Sequence, residues 1–66
     1  MDIPAEIGRA IRSARRAHGL TQEQLAELAH TTERTVRAIE QGTGASSLDT
    51  VVAVAAAVGV TIGVVR

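Results

Sequence analysis

The chain has 66 residues, 45% of them hydrophobic and none aromatic, so it makes at most one small domain, burying about 60% of the surface its unfolded form exposes. Seven arginines balance seven acidic residues and there is no cysteine, which excludes disulfides, thiolate metal sites and an indiscriminate polycation that coats nucleic acid. Any nucleic-acid binding has to come from where the charges sit, and a reducing cytosol is the expected compartment.

The first segment, Pro4 to His18, reads as a helix. Pro4 suits the first turn, where its missing N–H is harmless, and Gly19 suits the left-handed residue past the end. At helical spacing Ile3, Ile7, Ala10, Ile11 and Ala14 share one side. Arg9, Arg12 and Arg16 share the other, with Arg15 at its edge. His18 has only His30 as a companion, so neither is expected to hold a metal.

A second helix, Gln22 to Ala29, opens with the capping-box pattern Thr21-Gln22-Glu23-Gln24, and Leu25 and Ala29 form its apolar stripe. After His30-Thr31, Thr32 can cap a third helix that ends at Glu40 or Gln41, before Gly42, with Val36 and Ile39 pointing inward. Two short capped helices a few residues apart make a helix-turn-helix candidate.

The small-residue loop Thr43-Gly44-Ala45-Ser46-Ser47 leads into a fourth helix, Leu48 to Val58, capped by Ser46 or Ser47. Its broad apolar half is expected to hold Leu48, Val51, Val52, Val54, Ala55 and Val58. The uncharged stretch 50–65 is shorter than the ~20 apolar residues of a membrane span and is interrupted by Gly59 and Gly63. Asp2, Pro4 and Glu6 at the start do not fit a secretory signal, so a soluble cytoplasmic protein with no membrane partner is expected. Beyond Gly59, Val60, Ile62 and Val64 alternate onto one face of a short strand. A lone strand has no ladder partner in its own chain, so pairing with a second copy across a two-fold axis is expected, against the alternative of a frayed tail.

Glu33, Arg34 and Arg37 project from the third helix away from Val36 and Ile39. Arginine can grip guanine N7 and O6, and glutamate can accept from the cytosine amino group. Thr32 and Thr35 suit phosphate or thymine-methyl contacts, and Gln22 can hold a phosphate at the start of the preceding helix. The opposing view treats Glu33, Arg34, Arg37 and Glu40 as ordinary surface charges, with Glu33 and Arg37 paired one turn apart.

The blocks Leu20-Thr21-Gln22-Glu23-Gln24-Leu25-Ala26-Glu27 and Thr32-Glu33-Arg34-Thr35-Val36-Arg37-Ala38-Ile39-Glu40-Gln41-Gly42 resemble the Xre family of helix-turn-helix regulators, which includes phage Cro and repressor proteins. The resemblance covers nearly the whole chain. It implies an all-α, lambda-repressor-like bundle of four helices plus the short C-terminal β-strand, binding a palindromic operator in double-stranded DNA as a homodimer. In that scheme residues 1–58 bind DNA and residues 59–66 dimerise. By the same resemblance Gln22 clamps phosphate; Thr32, Glu33, Arg34 and Arg37 face DNA; Thr35 touches the backbone; and Thr43 and Ser46 lie where the fourth helix approaches phosphate. The turn departs from the family, because His30 stands where glycine is usual, so His30 must adopt a strained backbone or the turn must differ. Leu28, exposed by the reversed order of Leu28 and Ala29, could pack sideways or mark a partner surface, and sideways packing is the expectation.

The length and the valine-rich end also resemble HipB-like antitoxins, which implies autorepression and a cognate toxin as partner; a solitary regulator would look the same. His18, His30, Ser13, Ser46, Ser47, Asp2 and Asp49 are scattered over helix and capping positions, so no catalysis and no cofactor is expected. The remaining rival is a protein-interaction module that binds a partner without reading DNA.

Overall fold

Each helix starts at a short polar side chain and ends at a left-handed residue. This punctuation divides residues 2–63, which the computed structural model describes, into α1 (Ile3–Ala17), α2 (Gln22–Leu28), α3 (Glu33–Glu40) and α4 (Leu48–Ala57). The side chains of Asp2, Thr21, Thr32 and Ser47 accept from the backbone N–H groups of Ala5, Gln24, Thr35 and Thr50, satisfying one orphan donor per helix. At Thr21 the capping box is complete, since the Gln24 side chain accepts from the Thr21 N–H at 2.8 Å.

All four helices end in the same two-bond motif. After α2, the His30 N–H bonds the Glu27 carbonyl at 3.3 Å and the Thr31 N–H bonds the Ala26 carbonyl at 2.9 Å. The equivalent bonds close α1 through Gly19 and Leu20, α3 through Gly42 and Thr43, and α4 through Gly59 and Val60. This motif needs a positive φ just beyond the cap, which glycine supplies in three helices. In α2 it falls on His30, with φ of 56°, the one non-glycine residue in that region among the described residues. The turn after α2 therefore has the same geometry as the other three closures and places the strain in histidine.

Ile11, Leu25, Val36 and Val54 are fully buried at the centre, one from each helix, with Ala26, Ile39, Ala55 and Val58 around them. With no ring to fill space, close approach of helices has to replace bulk. At Gly8 a Cβ would overlap the carbonyl oxygens of Ile39 and Glu40, so α1 lies directly against the end of the α3 backbone. α3 also packs on α2, and α2 on α4.

Several apolar side chains do not go where the periodicity places them. Ile3, Leu48 and Val52 are exposed, whereas Leu28 is exposed as its position implies. Helix α4 has more apolar residues than a bundle this small can cover. It buries Val54 and Ala55, with Val58 just past its end, and leaves Leu48 and Val52 outside.

None of the described residues forms a strand. Past Gly59 the Val60 N–H bonds the Ala55 carbonyl at 2.9 Å, and Val60 and Ile62 rest partly buried on the core while Thr61 and Gly63 are exposed. The expected alternation is present, but its apolar face lies on the chain's own core. Val64, with residues 65 and 66 of the expected 59–66 strand, lies outside the described residues.

Replacing His30 with glycine removes the steric cost of a left-handed β-carbon. It should raise stability by about 1 kcal/mol, or about 4–8 °C in Tm for a chain of this size. Thermal unfolding followed by circular dichroism checks this, and a lower Tm would mean that the His30 side chain contributes more than its backbone strain.

Candidate nucleic-acid interface

The end of α1, the start of α2 and the outer side of α3 border one polar groove. Gln22, Glu33 and Arg37 line it together with Arg12, Arg16 and Glu23, and Arg15 and Glu40 form its floor. The floor is nearly dry: the Arg15 and Glu40 side chains retain 11% and 3% of their accessible surface. Arg15 Nε donates to Glu40 Oε2 at 2.7 Å and Arg15 Nη2 donates to Glu40 Oε1 at 3.1 Å, the two-pronged arrangement that fits guanidinium to carboxylate. A third Arg15 nitrogen, Nη1, donates to the Leu20 carbonyl at 2.8 Å. Gln22 Nε2 donates to Glu40 Oε1 at 3.2 Å. One carboxylate thereby ties α3 to α1, and through Gln22 to the first residue of α2.

The hydrogen bond to Glu40 raises the pKa of Arg15 above its ordinary value, against the opposing pull of burial. A raised folded-state pKa stabilises the fold at every pH below the unfolded value, a contribution lost only as pH climbs through the folded one. For arginine that window lies above any working pH, so Arg15 stays charged and its pairing is constant.

Gln22 is half-buried with its amide already held. Glu33, Arg34 and Arg37 are exposed on α3, and Arg37 Nη2 donates to Glu33 Oε1 at 2.9 Å, the one-turn pair weighed in the sequence. Arg34 makes no ion pair among the described residues. Thr32 is occupied in capping: its hydroxyl accepts from the Thr35 N–H and donates to the half-buried Thr35 hydroxyl at 3.0 Å. The Thr43 hydroxyl donates to the Ala38 carbonyl at 3.3 Å and closes the end of α3. Ser46 stands apart, lining an apolar recess with Pro4, Ile7, Ile39, Leu48 and Val51, and Ser47 rather than Ser46 caps α4. The groove thus unites Gln22, Glu33 and Arg37; Thr32, Arg34, Thr35, Thr43 and Ser46 lie outside its lining.

Arg15 and Glu40 are the residues that sequence reasoning misplaced, as the edge of a cationic face and as a surface charge. Both follow a fully buried residue by one helical turn, Arg15 after Ile11 and Glu40 after Val36. That spacing is a legible sign of two opposite charges facing the core. Arg12 and Arg16, which lay outside the third helix, join the groove from α1.

With this geometry in place, comparison with known families finds a model described as helix-turn-helix that matches residues 11–65. No curated protein matches the chain.

Removing one member of the floor strands the other charge in a dry site. Glu40→Ala should lower stability by about 3–5 kcal/mol, a large share of the roughly 3–10 kcal/mol expected of a 66-residue domain. Urea denaturation would measure it. A loss below about 1 kcal/mol, the range of exposed pairs, would show that the floor is wet.

Proposed function

The chain belongs to the helix-turn-helix family of DNA-binding regulators, of the type found in Cro and phage repressors, and we propose that it is a repressor that acts as a homodimer on a palindromic operator. The observation that carries this reading is the outer side of α3, where Glu33 and Arg37 line one groove with a Gln22 amide held by Glu40 and Arg34 is exposed on the same helix. A short helix with two arginines and one glutamate on its outer face fits the major groove and can meet guanine acceptors and cytosine or adenine amino groups.

Within that reading Arg34, the arginine without an ion pair among the described residues, grips guanine. Gln22 takes a phosphate with the amide hydrogen that Glu40 does not use. Thr32 and Thr35 approach the backbone at the front of α3, and Thr43 does so at its end. Arg12 and Arg16 border the groove from α1 and extend the contact with phosphate. We assign no contact to Ser46, which lines the apolar recess. No helix among the described residues is long and apolar enough to cross a membrane.

The homodimer is assigned to the segment beyond Gly59. Its apolar side chains rest on the core, and among the described residues the backbone groups of Thr61 to Gly63 make no backbone hydrogen bond. An edge in that state can pair with its equivalent in a second copy, with Val64 continuing the ladder. A second reading, that the dimer is the antitoxin of a toxin–antitoxin pair, is favoured by the exposed Leu28, Leu48 and Val52, apolar side chains that operator binding does not use.

Binding of duplexes selected from a randomised pool tests the first reading. Affinity should fall steeply with salt, and two half-sites should lie about one helical turn apart. Arg34→Ala should cost about 1–3 kcal/mol and relax base preference, whereas Gln22→Ala should weaken every sequence alike. Equal, sequence-independent losses from both variants would overturn these roles, and absence of any duplex binding at low salt would overturn the function.

The dimer has its own test. Thr61→Pro removes one edge N–H without changing Val60 or Ile62. Sedimentation equilibrium should show a weaker dimer with helicity unchanged; an unaltered dimer would move the interface elsewhere.

A further inference from the structure

We infer that Glu33 sets the selectivity of the α3 face, by occupying Arg37 and by opposing phosphate, so that the helix meets DNA with one free arginine instead of two. This rests on the DNA-reading role proposed above and assigns the division of labour within it. The carboxylate lies 2.9 Å from Arg37 Nη2, with the two side chains 45% and 50% exposed. At that exposure the pair does little to hold the fold, since water and ions screen it. Its main consequence is for the field that the groove presents.

Among the described residues four arginines and three glutamates line that groove, a net of +1, and the buried Arg15–Glu40 pair contributes nothing to the sum. Deleting the Glu33 charge makes the net +2 and frees the Arg37 guanidinium. In a chain whose formal charge is zero, one charge at the reading face is a large fraction of what attracts any duplex. Glu33 therefore suppresses binding that depends on phosphate alone.

Sequence reading follows from the same carboxylate. Facing a base with an exocyclic amino group, cytosine N4 or adenine N6, Glu33 accepts a hydrogen bond and still holds Arg37. Facing guanine O6 and N7 or thymine O4, it meets only acceptors in a partly dried groove, and the mismatch is penalised. Glu33 selects by rejecting wrong sites, and Arg34 by gripping right ones.

Fluorescence anisotropy can separate these effects on two duplexes of about 24 base pairs. One is the tightest wild-type binder from a randomised pool, the other a mixed sequence of equal length. Glu33→Gln and Glu33→Ala should tighten the mixed duplex about 5–20-fold at low salt and steepen the log–log salt slope by about 0.9, one additional phosphate. They should also cut the ratio of selected to mixed affinity at least about 10-fold. The double variant Glu33→Ala/Arg37→Ala should return the slope to the wild-type value while the ratio stays low. Glu33 also sits in the first turn of α3, where its charge favours the helix dipole; losing that would alter helicity but neither the slope nor the ratio. Single variants that leave slope and ratio unchanged, or that weaken both duplexes equally, would overturn the inference. So would a double variant that keeps the steeper slope. A wild-type protein that binds neither duplex would overturn the DNA-reading role itself, a result distinct from the others.

Discussion

The Arg15–Glu40 pair is the constraint on which the arrangement of this protein depends. A core of isoleucine, leucine, valine and alanine is held by a force that has no direction, and without aromatic rings it offers few shapes that fit in only one way. The guanidinium–carboxylate fork has direction. Both side chains are nearly dry, and three nitrogens of Arg15 are engaged, two with Glu40 and one with the Leu20 carbonyl. A small rotation of α1 against α3 would break several charge-assisted bonds at once. The apolar core supplies the drive to collapse, and the fork selects one collapsed arrangement.

Glu40 also reaches Gln22, so a structural device and the proposed recognition surface share an atom. Oε1 of one carboxylate takes bonds from Arg15 and from Gln22. The first residue of α2 is therefore placed relative to α3 by a buried charge, with little left to the loop between them. Rigid placement of this kind allows a side chain on one helix to contact the backbone in register with base contacts made from another. The same sharing means that damage to the floor cannot be confined to stability.

Much of this was legible in the amino-acid sequence, because the signals were local. Asp2, Thr21, Thr32 and Ser47 act on N–H groups three residues away, and the left-handed closures need only the next two residues. Even the departure at His30 could be anticipated, since a turn of this form leaves one position with positive φ whichever residue occupies it. The misplacements came from partners distant along the chain. Arg15 and Glu40 are 25 residues apart, and each looks like a surface charge until its place one turn beyond Ile11 or Val36 is taken seriously. The valine-rich end departs from expectation only in its secondary structure, since none of the described residues forms a strand. Alternation marks which side chains share a face, but it cannot say whether that face meets a partner or folds back on the same core, as Val60 and Ile62 do.

A formal charge of zero, taken alone, argues against a protein that meets a polyanion. The arrangement of the charges resolves this. One arginine and one glutamate neutralise each other inside the floor, and Arg37 and Glu33 do so on the surface. Arg12, Arg16 and Arg34 stay exposed, the first two along the groove edge and the third on α3. Net charge governs long-range attraction to any duplex, whereas contact affinity depends on which charges face the groove after internal pairs are removed. A neutral protein with a few exposed arginines outside any ion pair among the described residues starts with weak general affinity. The energy of fitted contacts is then a larger share of its total binding, and that share is what separates one site from the many others competing for it.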